Sequence, residues 1–449
     1  MAPLSRLSRR RARGAILILV IGIVIVLTGL VLVFSRQMRV EVVASGNLEA
    51  DLEADAIVSG AARHVLNRLV NNTVPTNLDN EIQSQAVTLG GGAFWIIRPD
   101  PKDEHRYAYG VTDEASKLNI NNASVDVLMQ LPGMTAELAA SIVDWHNVAN
   151  KTAPGGAESD YYLMLPEPYA CKNSSFETLG ELRLVKGATP DVLYGADLNR
   201  NGVVDSNESG SAAPLSAING QSQCGVCKYL TVYSAVLNVT KGGTARVYAG
   251  DTSRNTLRAL GNFLSRKLTG ENIAAILSQL RNDPPSTNVL DFYVKSGMTI
   301  DDFRAIADSI TTSQARVLRG LVNVNTAPRE VLRCLPGLDD SDVDLLIATR
   351  TGSLTLDNIA WVAQALPKAK LPRIGGLITT KSYQYSADIV AVAGNGRGFK
   401  RCKYVFDLRT TPPSIVLRED LTNLGWPLDP QLLQSLKAGS ADNRMWNNR

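Results

Sequence analysis

Histidine is nearly missing from this sequence. Only His64, His105 and His146 occur in 449 residues, so imidazole bases and imidazole metal ligands are in short supply. Cysteine is also scarce. Cys171, Cys224, Cys227, Cys334 and Cys402 are too few for a disulfide scaffold, and an odd count leaves at least one thiol free or paired between chains. Aromatic residues make up 6%. There is no phosphate-binding glycine loop, no G-x-S-x-G elbow and no H-E-x-x-H. The chain does not read as an enzyme, and no small-molecule substrate is expected.

The absences continue in the charge pattern. No acid precedes Gly14, while Arg6, Arg9, Arg10, Arg11 and Arg13 do. Without those five, 41 basic residues face 43 acids. The basic excess therefore belongs to the first 14 residues, and the body has no electrostatic reason to bind nucleic acid. From Gly14 to Ser35 there is no charge at all. That run of about 22 residues would span roughly 33 Å as a helix, enough to cross a bilayer core. It is too long for a signal-peptide core, and Arg36, Gln37, Met38 and Arg39 follow it without a good cleavage site. The leading arginines would stay cytoplasmic and send the body outward.

No proline occurs between Pro3 and Pro75. Ala54, Val58, Ala61, Val65 and Leu69 recur at helical spacing beyond the apolar run. The pattern predicts one helix of about 55 residues, on the order of 80 Å long. Its first half suits lipid and its second half is amphipathic.

A basic leader ending in glycine, followed at once by this stem, resembles the N-terminus of type IV pilin-like proteins. The resemblance implies that a prepilin peptidase cuts between Gly14 and Ala15. Most members carry a glutamate at the fifth mature position; here that position is Leu19. Lack of that glutamate resembles one member class, the large minor pseudopilin K of type II secretion systems (general secretion pathway protein K).

The body reads as a split sheet. Phe94–Ile97 is a short β-prone run after Gly90, Gly91 and Gly92, and Tyr107 and Tyr109 alternate on the next. Far away, Tyr383, Tyr385, Ala387, Ile389 and Ala391 share one face of a second run. A glycine-rich turn, Gly394 to Gly398, joins it to a partner with Cys402, Tyr404 and Phe406. Residues from both ends thus complete one antiparallel sheet, with 117 to about 378 inserted between its strands.

The insertion holds a repeat. "LNINNASVDVLMQLPGM" (118–134) and "VNVNTAPREVLRCLPGL" (322–338) are identical at eight of seventeen positions. Each reads as an N-x-N strand, a helix capped by Asn121 or Asn325, a Pro-Gly turn and a second helix, 137–145 or 342–350. Such units resemble helix-hairpin-helix modules, some of which bind DNA. The second hairpin glycine is absent, however: Thr135 and Asp339 stand in its place. Asp339, Asp340, Asp342 and Asp344 also crowd the second turn and would repel a phosphate. Small protein-interaction domains are the preferred reading, and pseudopilin K carries two sterile-alpha-motif-like (SAM-like) segments at these places. "DEASKLNIN" (113–121), "GAESDYY" (156–162) and "ETLGELRLVKGATPDVL" (177–193) follow in that family's order.

"DLNRNGVVDSNE" (197–208) reads as an EF-hand-like calcium loop. Calcium takes six to eight hard oxygens, and this spacing supplies them. Asp197, Asn199 and Asn201 would ligate from positions one, three and five. Gly202 makes the turn, Val203 offers its carbonyl, Asp205 acts directly or through water, and Glu208 binds with both oxygens. A polar surface turn is the alternative. Outside the cytoplasm calcium is plentiful, so a permanently filled structural site is expected. Glu158 and Asp160 read first as a solvated loop, with a second cation site as the alternative. "CGVC" lacks the second pair that zinc would want and precedes a strand, so Cys224 and Cys227 are read as a short local disulfide. Cys334 falls in the core pattern of the second unit.

The expectation is an α+β protein: a pilin-like N-terminal helix on an antiparallel sheet, interrupted by a large, mostly helical insertion. Its divisions are a leader (1–14), a membrane half-helix (15–35), the pilin-like helix and first strands (36–116), a first SAM-like insertion with the calcium loop (117–318), a second SAM-like segment (319–378) and closing strands (379–449). The resemblance implies a minor pseudopilin capping a type II secretion pseudopilus. It would be anchored once in the bacterial inner membrane with its body in the periplasm. Its partners would be I- and J-type minor pseudopilins, the inner-membrane platform and prepilin peptidase. A DNA-uptake protein and a membrane-anchored calcium-binding adhesin are the alternatives.

Overall fold

The computed structural model describes residues 8–71, 82–100, 106–148, 152–205, 208, 224–268, 273–352 and 356–437, with side chains described from Ile16 onward. Residues 1–7 of the expected leader, and the end of the chain beyond 437, lie outside the described residues.

Helix α1 (Ser8–Asn71) is 64 residues long, longer than expected because it runs back through the arginines. Its Val- and Ile-rich first half is a modest helix former in water. In lipid the ladder of internal hydrogen bonds is compulsory, because no water is there to satisfy the backbone. Even Thr28 conforms, donating its hydroxyl to the Val24 carbonyl at 2.7 Å. Among the described residues this is the one helix long and apolar enough to cross a membrane, and none of its apolar window is buried. It fits a single-pass anchor carrying a separate body.

The second half of α1 lies on a seven-stranded antiparallel sheet. Its strands are β1 (Val87–Leu89), β2 (Gly92–Pro99), β3 (Tyr107–Tyr109), β4 (Thr112–Asp113), β5 (Gln384–Val392), β6 (Phe399–Asp407) and β7 (Ser414–Asp420). The order is β1-β2-β5-β6-β7, with β3 beside β2 and β4 beside β5. Strand β7 at the edge was not anticipated. Tyr385, Ala387, Ile389 and Ala391 of β5 turn toward Ile57, Val58, Ala61 and Val65 of α1, as the period of two requires. Small residues bring helix and sheet very close. A side chain at Gly398 would put its Cβ 2.5 Å from the Ala50 backbone. The opposite face of the sheet carries Trp95, Ile97, Val390 and Val392, covered by Trp426 and Leu428.

Between β4 and β5 the chain builds helical units, each closed by a pair of two-residue parallel strands. Leu118–Asn119 pairs with Leu230–Thr231, and Val322–Asn323 with Ile378–Thr379. These correspond to the two copies of the repeat. A further unit lies between them, closed by Val247–Tyr248 and Ile310–Thr311, with helices Arg254–Lys267, Ile273–Asn282, Val289–Ser296 and Ile300–Ile306. Its opening strand lacks the N-x-N motif, which is why the repeat did not reveal it. The closing strands do share a signal, "LTVYS", "ITTS" and "ITTKS". In each, the threonine hydroxyl accepts from the amide two residues on: Thr231 from Tyr233 at 2.9 Å, Thr311 from Ser313 at 3.2 Å, Thr379 from Lys381 at 3.1 Å.

The expected caps are not made. Ser124 caps the helix after the first N-x-N segment, and Pro328 precedes the corresponding helix without a side-chain cap. Asn121 and Asn325 are used over longer distances. Asn121 accepts from the Phe176 amide at 2.7 Å and donates to its carbonyl at 3.0 Å. Asn325 donates to the Leu356 carbonyl and accepts from Trp361 Nε1, both at 3.0 Å. An asparagine has both a donor and an acceptor, so it can pin a passing strand as well as cap.

Asp113 and Glu114 join the insertion to the sheet. Asp113 is buried and accepts from Asn323 Nδ2 at 2.8 Å and from the Thr326 and Ser382 hydroxyls at 2.6 Å. Glu114 accepts from Thr231 and, at 2.6 Å, from Ser386. Burial raises the Glu114 carboxyl, but the charges of Lys117 and Lys403 outweigh it and hold it at about 2.

Candidate metal centre

The short helix Pro190–Tyr194 ends at Gly195, and the loop 197–208 begins two residues later. Residues 206 and 207 lie outside the described residues. Asp197, Asn199, Asn201 and Glu208 are all buried, which is unusual for four polar side chains on one loop. Gly202 sits at φ +84°, a conformation that favours glycine, and a Cβ there would lie 2.2 Å from Pro99 of β2.

The loop's side chains turn inward. Asp197 accepts from the Asn201 amide at 3.0 Å and the Gly202 amide at 2.8 Å. Glu208 reaches back across the loop and accepts from the Asn199 amide at 2.9 Å and the Asp205 amide at 3.1 Å. The carboxamides of Asn199 and Asn201 both donate to Asp205 Oδ2, at 2.8 and 3.0 Å. Positions one, three, five, nine and twelve of the motif are thus tied into one network. Val203 is buried and donates its amide to Asn201 Oδ1 at 2.8 Å. Burial, reinforced by the charge of Glu208, pushes the Asp197 carboxyl up to about 7. A carboxylate raised so far lacks sufficient positive charge nearby. Among the described residues, no three His, Cys, Asp or Glu side chains are grouped to hold a metal ion. A cation here would rest on carboxylates mixed with amide and backbone oxygens, which is a calcium-type donor set rather than a zinc-type one.

The loop is seated on the sheet face opposite α1. Arg401 of β6 is 0% exposed. It pairs with Asp388 at 2.6 Å and donates to the carbonyls of Asn199 and Arg200. Asn201 Nδ2 donates to the Pro427 carbonyl at 3.1 Å. A cleft of about 830 Å³ runs between sheet and insertion, with Asp197, Asn201 and Gly202 in its wall.

The other candidate residues are dispersed. Gly14 and Ala15 lie within α1. Cys224 and Cys227 are thiols; Cys224 is buried against the loop, with Sγ 3.4 Å from the Gly202 carbonyl. Burial holds the Cys227 thiol up at about 12. Cys334 is buried in the core of the last unit. Glu158 is buried and Asp160 exposed. The acids at the second Pro-Gly turn are committed to nearby cations. Asp340 pairs with Arg333 at 2.6 Å and with Arg329, which also holds Asp344, while Asp339 and Asp342 share Lys370. Those cations are occupied and are not presented to a phosphate.

A membrane-length helix continuing onto an antiparallel sheet defines the pilin-like class. Residues 110–195 match the family model described as type II secretion system (T2SS), protein K. That match supports a K-type minor pseudopilin of type II secretion, the family the sequence resembles. The matched segment runs from β4 through the first unit to the helix just before the loop. A solved structure, the GspK-GspI-GspJ complex from the enterotoxigenic Escherichia coli type 2 secretion system, is similar over 86% of this chain and 99% of that chain, at 11% identity and a TM-score of 0.39. No curated protein matches.

Proposed function

We propose that this chain caps a type II secretion pseudopilus and supports its assembly, held once in the inner membrane with its body in the periplasm. The observation that carries this reading is the family match over residues 110–195. Two physical features favour the tip. In a pilus, a glutamate at the fifth mature position can neutralise a neighbour's N-terminal amine in lipid, where an unpaired charge is costly. Leu19 cannot do so. The units between β4 and β5 also add bulk that would clash in a closely stacked fibre, and a terminal subunit has room for it. The partners in this reading are I- and J-type minor pseudopilins, the inner-membrane platform and the peptidase that cuts after Gly14. The test is the mature N-terminus by mass spectrometry. Ala15 is expected, and any other start overturns the reading.

The loop 197–208 holds calcium in this reading. Asp197, Asn199, Asn201, the Val203 carbonyl, Asp205 and Glu208 would be its ligands, with the carboxamides of Asn199 and Asn201 turned to present oxygen. The ion would supply the positive charge that buried Asp197 lacks and would order an acidic loop at the seam between insertion and sheet. Calorimetry on the chelator-stripped chain checks this. Heat of calcium binding that is lost in Asp197→Ala is expected; binding unchanged in that variant excludes the loop.

A further inference from the structure

The cleft of about 830 Å³ between sheet and insertion opens beside a strand edge. Cys402, Tyr404 and Phe406 of β6 pack toward α1, so Lys403 and Val405 turn the other way and line the cleft. Val405 stands opposite Leu417 of β7, and Lys403 opposite Glu419, and both β7 residues line the same cleft. The facing wall comes from the first helical unit, with Tyr194, Arg200, Lys228 and Tyr229. A second hollow of about 350 Å³ shares Tyr233 with the cleft and reaches Val416. The two hollows thus follow β7 along most of its length. Among the described residues, β7 pairs with β6 alone, and Ile415 and Val416 are about two-fifths exposed.

The charges in this cleft are unevenly matched. Lys403, Arg200 and Lys228 are all half-buried. Arg200 lies over the Tyr194 ring at 4.0 Å and Lys228 over the Tyr229 ring at 5.9 Å. Among the described residues, none of the three has a carboxylate partner, although Glu419 stands across from Lys403 in the register. Two other acids in the wall are committed elsewhere: Glu114 to Lys117 and Asp388 to Arg401. Three partly dehydrated cations therefore face a space that would accept carboxylates, and charge-assisted hydrogen bonds to them would be strong ones. Val405 and Leu417 give the same space an apolar side. An open strand edge adds a row of backbone donors and acceptors, which a small anion cannot pair and an extended peptide can.

We propose that this cleft is a peptide-docking groove: an extended acidic segment of another protein adds to β7 as a further strand and places its carboxylates on Lys403, Arg200 and Lys228. Successive side chains of a strand point to opposite faces. Every second residue of the segment therefore enters the cleft, and acids at those positions meet the three cations. Val405 and Leu417 pack against the aliphatic stems. The main chain supplies affinity and the alternate side chains supply selectivity. This goes beyond the tip reading and does not rest on it.

The probe is a fluorescein-labelled peptide of alternating glutamate and valine, seven residues long to match β7. Its binding to the detergent-solubilised full chain is followed by fluorescence polarisation, with calcium present throughout. The acidic peptide should bind, and added salt should weaken it. The counterpart with glutamine in place of glutamate should bind far less. Lys403→Gln and Arg200→Gln should each weaken the acidic peptide about tenfold, while Lys267→Gln, exposed in the middle helical unit, should not. Melting temperatures show that each variant is folded, and Lys228→Gln replaces any that is not. Equal binding of the acidic and amide peptides, or full binding by the folded cleft variants, overturns the groove. Strand addition has its own readout. Methylating alternate backbone nitrogens blocks one edge of the peptide at a time, so one methylated set should lose binding and the other keep it. Equal binding by both sets overturns the proposal. Sedimentation covers the competing occupant: a dimer of the chain that the acidic peptide does not dissociate means that a second copy takes the edge, which also overturns it.

Discussion

Arg401, on the sheet, donates its guanidinium to the carbonyl of Asn199, in the loop 197–208. The same side chain neutralises Asp388, so one buried cation fastens the insertion to the pilin-like sheet.

Arg401→Met should break both ties. It leaves Asp388 without its partner and two loop carbonyls without a donor. Loss of one member of a buried pair costs about 3–5 kcal/mol. Denaturant unfolding should show a drop of that order, and calcium should bind the loop more weakly.

The elevated Asp197 carboxyl makes stability depend on pH. Its folded value, about 7, lies above the ordinary 3.8. Between those values the folded state holds a proton that the unfolded state has released, so this group's contribution falls as pH rises through the window. The slope is about 1.4 kcal/mol per pH unit at most. The metal-free parent should lose stability from pH 5 to pH 7 relative to Asp197→Asn, and calcium should release protons on binding near pH 6.

Asp113 holds three side-chain donors from distant parts of the chain. Asp113→Ala strands them in a dry interior, at about 3 kcal/mol. Asn323→Ala should cost less. The double variant should fall short of the sum by about 1 kcal/mol, because the two share one interaction. Thermal or denaturant unfolding of all three variants measures this.

Gly398→Val tests how α1 meets the sheet. The nearest atoms are Ala50's own backbone, which cannot swing aside. Overpacking of this kind costs about 1–3 kcal/mol. Faster proteolysis within 44–69 is expected, with little change in the helical units.

Leu48 and Leu52 stay 62% and 64% exposed on α1 beyond its membrane run. If that face meets neighbouring pseudopilin stems, Leu48→Lys with Leu52→Lys should abolish co-purification with the I- and J-type subunits while the melting temperature holds.

Some of this was written locally in the chain. The anchor follows from a long absence of charge, the β5–β6 hairpin from a period of two, and the loop from the spacing of its acids, amides and glycine. Such signals need only near neighbours. The middle helical unit was not legible, because its opening strand lacks asparagine and its closing "ITTS" is too short to notice without its two counterparts. The caps expected of Asn121 and Asn325 were misplaced for a related reason: a side chain able to cap nearby can equally bind a strand that arrives from far along the chain.

By itself, then, the sequence determined the lipid-length stem, Leu19 at the fifth position after Gly14, the alternation that faces β5 toward α1, and the donor spacing of 197–208. Tertiary structure alone decided which groups meet: Arg401 with Asn199, and Asp113 with Asn323 and Ser382. Periodicity sets which side of an element a residue occupies. Only the path of the whole chain, settled by burying its apolar faces together, sets what stands opposite.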